Sequence, residues 1–94
     1  MIKFEWDKEK AEANRIKHGV TFEIAARVFL DENRIEFYDR KHSIDEDRYY
    51  TIGMAGEVLL VVYTERRDVI RLISARLAAK NEEARYYGHL YFGR

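Results

Sequence analysis

The feature that most constrains the fold is a pair of apolar segments in the second half of the chain, Glu57–Glu65 and Val69–Arg76. Both are rich in β-branched and other apolar residues, and a short polar turn separates them, which predicts a β-hairpin. Strand side chains alternate between two faces, and here both faces carry apolar residues. We therefore expect this hairpin, spanning Val58 to Arg76, to lie in the centre of a sheet.

The same alternation predicts which side chains share a face. In the second strand, one face is predicted to carry Val69, Arg71, Ile73 and Ala75, and the other Ile70, Leu72, Ser74 and Arg76. In the first strand, Leu59, Val61 and Tyr63 oppose Val58, Leu60, Val62 and Thr64. If helices cover one face, the other is a shallow surface bearing Tyr63, Ser74 and Arg76. Such a surface suits RNA or a partner protein.

The remaining segments predict an α+β fold in the order β-α-α-β-β-β-β-α, with helices packed on a twisted antiparallel sheet. The other strands are predicted at Ile2–Trp6, Arg34–Asp39 and Arg48–Met54. Helices are predicted from an Asp7 cap to Gly19, from a Thr21 cap to the turn at Asp31-Glu32-Asn33, and over Ala78–Tyr87 with Gly88 as the stop. The polar stretch Arg40–Asp47 is expected to be a mobile loop.

Length and composition place the chain among small globular proteins. Its 94 residues predict one domain over positions 1–94, and no apolar run is long enough to span a bilayer. The N-terminal sequence has no features of a signal peptide, so we expect a cytoplasmic protein. Cysteine is absent, which excludes disulfides and thiolate metal sites, and no metal or cofactor is expected. Charges sum to zero, yet acids concentrate over positions 31–47 and bases after position 63.

No familiar catalytic motif is present. The sequence has no glycine-rich nucleotide loop and no serine-nucleophile motif, and His18, His42 and His89 lack metal-ligand spacing. The remaining lysine, arginine, histidine and tyrosine side chains suit metal-independent RNA cleavage. That reaction needs proton transfer and positive charge on the phosphorane oxygens.

Two groups of residues resemble the BrnT family, ribonuclease toxins of bacterial type II toxin–antitoxin modules. The first half carries Trp6-Asp7, Lys10, Asn14, Lys17-His18-Gly19, Phe22, Ala25 or Ala26, Phe29 and Asp31. The second half carries His42-Ser43, Glu46 to Arg48, Gly53, Thr64-Glu65-Arg66, Ile70 to Arg76, Glu83 and Tyr86. The chain departs from the family pattern at Ile24, Glu32 and Ala79, which affects local capping and turns.

The resemblance implies a RelE-like fold and an endoribonuclease that cleaves RNA and inhibits translation and growth. It also implies a cognate antitoxin that neutralises the toxin and binds operator DNA. Under this interpretation Arg66 and Arg76 hold the scissile phosphate, and His18 transfers a proton. Further substrate-binding residues are Lys17, Tyr63, Lys80 and Tyr86.

Each candidate residue also has a structural explanation. Lys17 and His18 suit the C-terminal end of a helix, Arg66 a turn, Arg76 a strand-end ion pair, and Tyr86 the core. The sequence therefore leaves open a non-catalytic module that binds protein or RNA through the same sheet face.

Overall fold

The computed structural model describes residues 2–93, which form five strands and three α-helices. The strands are β1 (Lys3–Glu5), β2 (Ile35–Tyr38), β3 (Tyr49–Ala55), β4 (Glu57–Arg66) and β5 (Val69–Leu77). The helices are α1 (Lys8–His18), α2 (Phe22–Ala26) and α3 (Lys80–Phe92), with 3₁₀ turns at Arg27–Leu30 and Arg40–His42. The α+β class and the predicted order of elements are confirmed. None of the helices in this part of the chain is long and apolar enough to cross a membrane.

The five strands form one sheet in the order β1-β5-β4-β3-β2, with β4 at its centre. The β4–β5 hairpin is therefore internal, as predicted. Strand β1, however, pairs parallel to β5, with Phe4 opposite Ile70. The expectation of a wholly antiparallel sheet was wrong at this edge, because β1 and β5 are distant in sequence and no hairpin turn fixes their relative direction.

A β-bulge in β5 changes which of its side chains share a face. Val62 lies opposite Ser74, whereas Tyr63 lies opposite Leu72, so Ile73 is left without a partner in β4. The predicted alternation holds in β4. In β5 it fails beyond the bulge, because Leu72 and Ala75 both enter the same core.

Two cores lie on opposite faces of the sheet. In the first core, α1, α2 and the turn after α2 pack on the sheet through Val20, Phe22, Ala25, Val28, Phe29, Leu59, Val61, Tyr63, Leu72 and Ala75. In the second core, α3 packs on part of the other face through Ile52, Val58, Leu60 and Tyr86. Both faces of β4 are thus covered along most of its length, which explains its continuous apolar sequence.

Helix α3 does not end at Gly88, as predicted, but continues to Phe92. Leu90 packs against the second core, so tertiary contacts extend the helix past the glycine. The stretch Arg40–Asp47, predicted as a mobile loop, begins with the 3₁₀ turn at Arg40–His42. The Ser43 hydroxyl donates to the Asp39 carbonyl at 2.6 Å and accepts from the Arg48 N–H at 2.9 Å, which closes this segment into a compact turn.

The buried side chain of Asn14 joins α1 to the edge of the sheet. Its amide nitrogen donates to the carbonyls of Val20 at 3.0 Å and Ala75 at 2.8 Å, and its oxygen accepts from the Ala75 N–H at 3.0 Å. Strand β1 pairs with β5 only as far as Arg71. Asn14 therefore satisfies the backbone of β5 beyond the point where β1 ends.

The Asp31 carboxylate joins α3 to the rest of the fold. It accepts hydrogen bonds from the Tyr86 hydroxyl at 2.6 Å, the Met54 N–H at 2.8 Å and the Asn33 N–H at 2.9 Å. Burial tends to raise the pKa of Asp31, but these hydrogen bonds outweigh burial and hold the pKa below its ordinary value. Gly53 lets the turn after α2 pack closely against β3, since a Cβ on it would lie 2.7 Å from Val28 Cγ1.

Replacement of Asn14 by alanine should lower the free energy of unfolding by about 3 kcal/mol. The substitution leaves the Ala75 N–H and two carbonyls buried without partners, and each unsatisfied group costs about 1–3 kcal/mol. Urea unfolding monitored by circular dichroism measures the change. The control Asn81→Ala removes an exposed amide of α3 and should change stability by less than about 0.5 kcal/mol. Equal effects of the two substitutions would contradict this role for Asn14.

Tyr86→Phe should lower the free energy of unfolding at pH 7 by about 1.5–3 kcal/mol, because it removes a hydrogen bond to a carboxylate. The pKa of Asp31 is lower in the folded protein than its value of 3.8 in the unfolded chain, so the Asp31 carboxylate stabilises the fold fully above pH 3.8. This stabilisation is lost as the pH falls through the pKa of the folded state. The difference between variant and wild type should therefore shrink at low pH.

Urea unfolding at pH 7 and at pH 3 measures this dependence on pH. Tyr87→Phe is the matched control, since the Tyr87 hydroxyl makes no hydrogen bond within the described residues. A Tyr86→Phe effect that is the same at both pH values would show that Asp31 is not its cause.

Candidate nucleic-acid interface

Helix α3 leaves part of its sheet face uncovered. Across this face Tyr50, Val62 and Ser74 lie opposite one another on β3, β4 and β5, and all three are half-buried. Arg71 lies on the same face, opposite Thr64. We call this surface, formed by Tyr50, Val62, Arg71 and Ser74, the open face.

A small cavity at the turn end of the open face is surrounded by charged side chains. Its volume is about 100 Å³, and its charged lining residues are Asp7, Lys10, Glu46, Arg48, Arg66 and Arg71. Four of these six are basic, although the whole chain has no net charge. We call this site the cationic cavity.

Separate elements place the bases of the cationic cavity. Arg66 ends β4, Arg71 lies on β5 and Arg48 immediately precedes β3. Lys10 belongs to the first turn of α1, whose N-cap is Asp7. Hydrogen bonds from the Lys10 and Glu9 N–H groups lower the pKa of Asp7, so this side chain remains a carboxylate.

Two of the arginines are paired with carboxylates. Arg66 reaches both oxygens of Glu46 at 3.3 Å, and Arg71 contacts Glu5 at 2.8 Å. Arg48 makes no ion pair among residues 2–93. Because the Arg66 pair is half-exposed and its contacts are long, an incoming phosphate can replace Glu46 at modest cost.

Arg76 lies at the other end of the open face and is bound to α3. Its guanidinium donates to both oxygens of Glu82, at 2.8 and 2.9 Å, and to the Leu77 carbonyl at 3.1 Å. These hydrogen bonds raise the pKa of Arg76 and lower the pKa of Glu82. Glu82 also accepts the Ala79 N–H at 2.7 Å, so it caps the start of α3, where the sequence offers no capping side chain.

The structure does not bring the two predicted phosphate-binding arginines together. Arg66 lies opposite Val69, and Arg76 lies seven residues further along β5. At roughly 3.3 Å per residue, that separation is about 20 Å. One phosphate group cannot contact both side chains.

His18, Lys17 and Lys80 belong to the Arg76 end of the molecule. Asn14 contacts Ala75, and His18 lies one helical turn beyond Asn14, which directs it towards the end of β5. His18 is half-buried, whereas Lys17 and Lys80 are exposed. No hydrogen bond joins His18 to Arg76 within the described chain.

The two predicted tyrosines are not exposed. The Tyr63 ring packs in the first core against Phe29 and Tyr49, at 4.9 and 5.7 Å between ring centroids, and its hydroxyl donates to Glu36. Its predicted position on the same face as Arg76 was wrong, because the Ile73 bulge shifts the register of β5. Tyr86 is buried in the second core against Asp31, as its structural explanation proposed.

Sequence reasoning overlooked Lys10, Arg48 and Arg71 as members of one site. All three occur in the segments that resemble the BrnT family, but they lie in three separate parts of the chain. A correct sheet register would have placed Arg71 beside Arg66. That register is set by the two-residue turn Arg67-Asp68, and because this turn contains no glycine the sequence leaves the register open.

Comparisons with known proteins agree with this structure. A family model described as "Ribonuclease toxin, BrnT, of type II toxin-antitoxin system" matches residues 6–82. The fold is similar to the 1.1 Å crystal structure of the Brucella abortus ribonuclease toxin BrnT, with a TM-score of 0.69 and 25% sequence identity. That match covers 85% of this chain and 100% of the Brucella chain. No curated protein gives a significant match. The chain therefore belongs to the BrnT family of ribonuclease toxins of type II toxin–antitoxin systems.

Proposed function

We propose that this toxin is a metal-independent endoribonuclease that binds its RNA across the open face and cleaves it at the cationic cavity. The observation that carries the proposal is the gathering of Lys10, Arg48, Arg66 and Arg71 around one cavity. Such a cluster attracts a polyanion even though the whole chain is neutral. RNA cleavage by the toxin inhibits translation and growth.

The chemistry follows from the arrangement of charges. When the 2′-hydroxyl attacks the adjacent phosphorus, negative charge builds on the phosphorane oxygens. The P–O5′ bond then breaks to leave a 2′,3′-cyclic phosphate, and the departing 5′-oxygen takes up a proton from water. Arg66 and Arg71 lie where guanidinium groups can donate to those oxygens, and stabilisation of developing charge is a large contribution to catalysis. Glu46, displaced from Arg66 by the phosphate, is a carboxylate of the cavity that can accept the 2′-hydroxyl proton.

The residues at the Arg76 end have a different role in this proposal. Arg76, Lys17 and Lys80 contact phosphates at a distance from the one that is cleaved, because about 20 Å separates Arg76 from Arg66. His18 lies at this end as well, so Glu46 rather than His18 transfers the proton at the scissile phosphate. Phosphate contacts of this kind position the RNA without reading its bases.

We also propose that a cognate antitoxin neutralises the toxin in the cytoplasm and represses the operon through its own DNA-binding domain. Membership of a type II toxin–antitoxin family supports this proposal. The ion pairs of Arg66, Arg71 and Arg76 favour a second candidate, a non-catalytic module that binds RNA or protein through the open face.

Arg66→Ala and Arg71→Ala should each lower kcat for RNA cleavage by about 10²–10³, the usual effect of losing one group that stabilises the transition state. Initial rates on a fluorescently labelled single-stranded RNA measure the loss. Arg67→Ala, next to Arg66 in the β4–β5 turn but outside the cavity, is the matched control and should keep its activity. Full activity in both cavity variants would reject the proposed site. Binding without cleavage in the wild type would favour the non-catalytic candidate.

Arg76→Ala and Glu82→Gln both break the same ion pair, yet they should differ in activity. Glu82→Gln leaves the Arg76 cation free to contact RNA, whereas Arg76→Ala removes it. We expect Arg76→Ala to raise KM about tenfold with little change in kcat, the pattern of lost substrate binding. Glu82→Gln should keep KM near the wild-type value. Parallel losses of activity and melting temperature in both variants would show that Arg76 only anchors α3.

A further inference from the structure

Strand β2 leaves one edge of the sheet free. In an antiparallel pair, residues whose backbone groups bond across the pair alternate with residues whose groups point away. Asp39 donates its N–H to the Arg48 carbonyl at 2.8 Å, and Phe37 has the same parity. The backbone N–H and C=O groups of Glu36 and Tyr38 therefore point out of the sheet, where the described residues provide no strand to bind them.

The two edges of the sheet differ in how they are covered. On the far side, β1 pairs with β5 and Asn14 satisfies the backbone of Ala75 beyond it. Free edges are usually protected by proline, a bulge or lysine side chains. Strand β2 (Ile35–Tyr38) is short and carries one charged residue, Glu36, but it has no proline, bulge or lysine, so its outer backbone groups can pair with another strand.

A groove runs beside this free edge, between β2 and α3. Its volume is about 580 Å³, and Ile35 and Phe37 provide its apolar floor. Arg85 lies over the Phe37 ring, 4.3 Å from its centroid, and makes no ion pair among residues 2–93. His89, one helical turn further along α3, also lines the groove. The groove thus combines an apolar floor with Arg85 and His89 on its helical wall, and the ion pair of Arg34 with Glu36 completes its lining.

Gly88 keeps the helical wall of the groove open. It lies inside α3 with helical backbone, and a Cβ built on it would meet no atom within 4 Å. Glycine inside a helix costs about 1 kcal/mol relative to alanine. The space beside Gly88 is therefore available to an occupant, and a larger side chain there would fill it.

We propose that this groove binds an extended segment of a partner protein, rich in apolar and acidic residues, which adds to β2 as a further strand. The outward backbone N–H and C=O groups of Glu36 and Tyr38 can bond to the backbone of an added strand. The apolar floor of the groove suits apolar side chains of that strand, and Arg85 and His89 suit its carboxylates. A nucleic acid offers no alternating N–H and C=O groups to this edge. The inference rests on the proposed function only in naming the partner as the antitoxin.

A pair of designed peptides tests the groove without the antitoxin. The first is an eight-residue capped peptide that alternates valine with aspartate, and in the second lysine replaces each aspartate. Backbone amide exchange measured by NMR on the full chain reports binding. At saturation with the acidic peptide, exchange at Glu36 and Tyr38 should slow at least tenfold, while the lysine peptide should leave it unchanged.

Two variants locate the binding site. Gly88→Leu puts a bulky side chain into the groove and should weaken binding of the acidic peptide at least tenfold, with RNA cleavage unchanged. Arg85→Glu should weaken the acidic peptide and favour the lysine peptide, whereas Arg27→Glu, an exposed arginine outside the groove, should do neither. If Gly88→Leu fails to fold, the Arg85→Glu and Arg27→Glu pair still decides the question.

Three outcomes would overturn the inference. Equal slowing of amide exchange by both peptides would show that the groove does not select for acidic side chains. Exchange changes confined to Arg48, Arg66 and Arg71 would show that the acidic peptide binds the cationic cavity as a polyanion. Protection of Glu36 and Tyr38 by a single-stranded RNA would make the groove a nucleic-acid surface. Failure of RNA cleavage alters none of these readouts, so the two proposals fail separately.

Discussion

The hydrogen bonds of the Asn14 side chain to β5 are the interaction on which much of this structure depends. They continue the pairing of β5 past the end of β1 and hold α1 along the edge of the sheet. The position of α1 then places Lys10 in the cationic cavity and His18 near the opposite end of β5. A single buried amide with all its partners satisfied thus connects the packing of the fold to the layout of its functional surface.

The bulge at Ile73 has a comparable effect on β5. Without it, strict alternation would put Arg71 and Arg76 on opposite faces of the sheet. With it, Arg71, Ser74 and Arg76 all lie on the side opposite the first core, and Leu72 and Ala75 both enter that core. The bulge therefore gathers the charged residues of β5 on one surface while its apolar residues remain buried.

The open face and the groove beside β2 are two surfaces with different chemistry. The cationic cavity presents arginines in half-exposed ion pairs, which a phosphate can replace. The β2–α3 groove presents free backbone groups, an apolar floor and bases on one wall. A partner bound at the groove would occupy a surface whose lining residues are separate from those of the cationic cavity.

The sequence by itself determined the α+β class, the order of the elements and the central place of the β4–β5 hairpin, because these depend on local periodicity and on turn and capping residues. It also identified Arg66 and Arg76 as candidates, through residue types and family resemblance. Only the tertiary structure decided that β1 runs parallel to β5, that Tyr63 is buried and that Arg66 lies with Arg71 and Lys10 rather than with Arg76. These features depend on strand register and on contacts between distant segments, and neither leaves a local signal in the sequence.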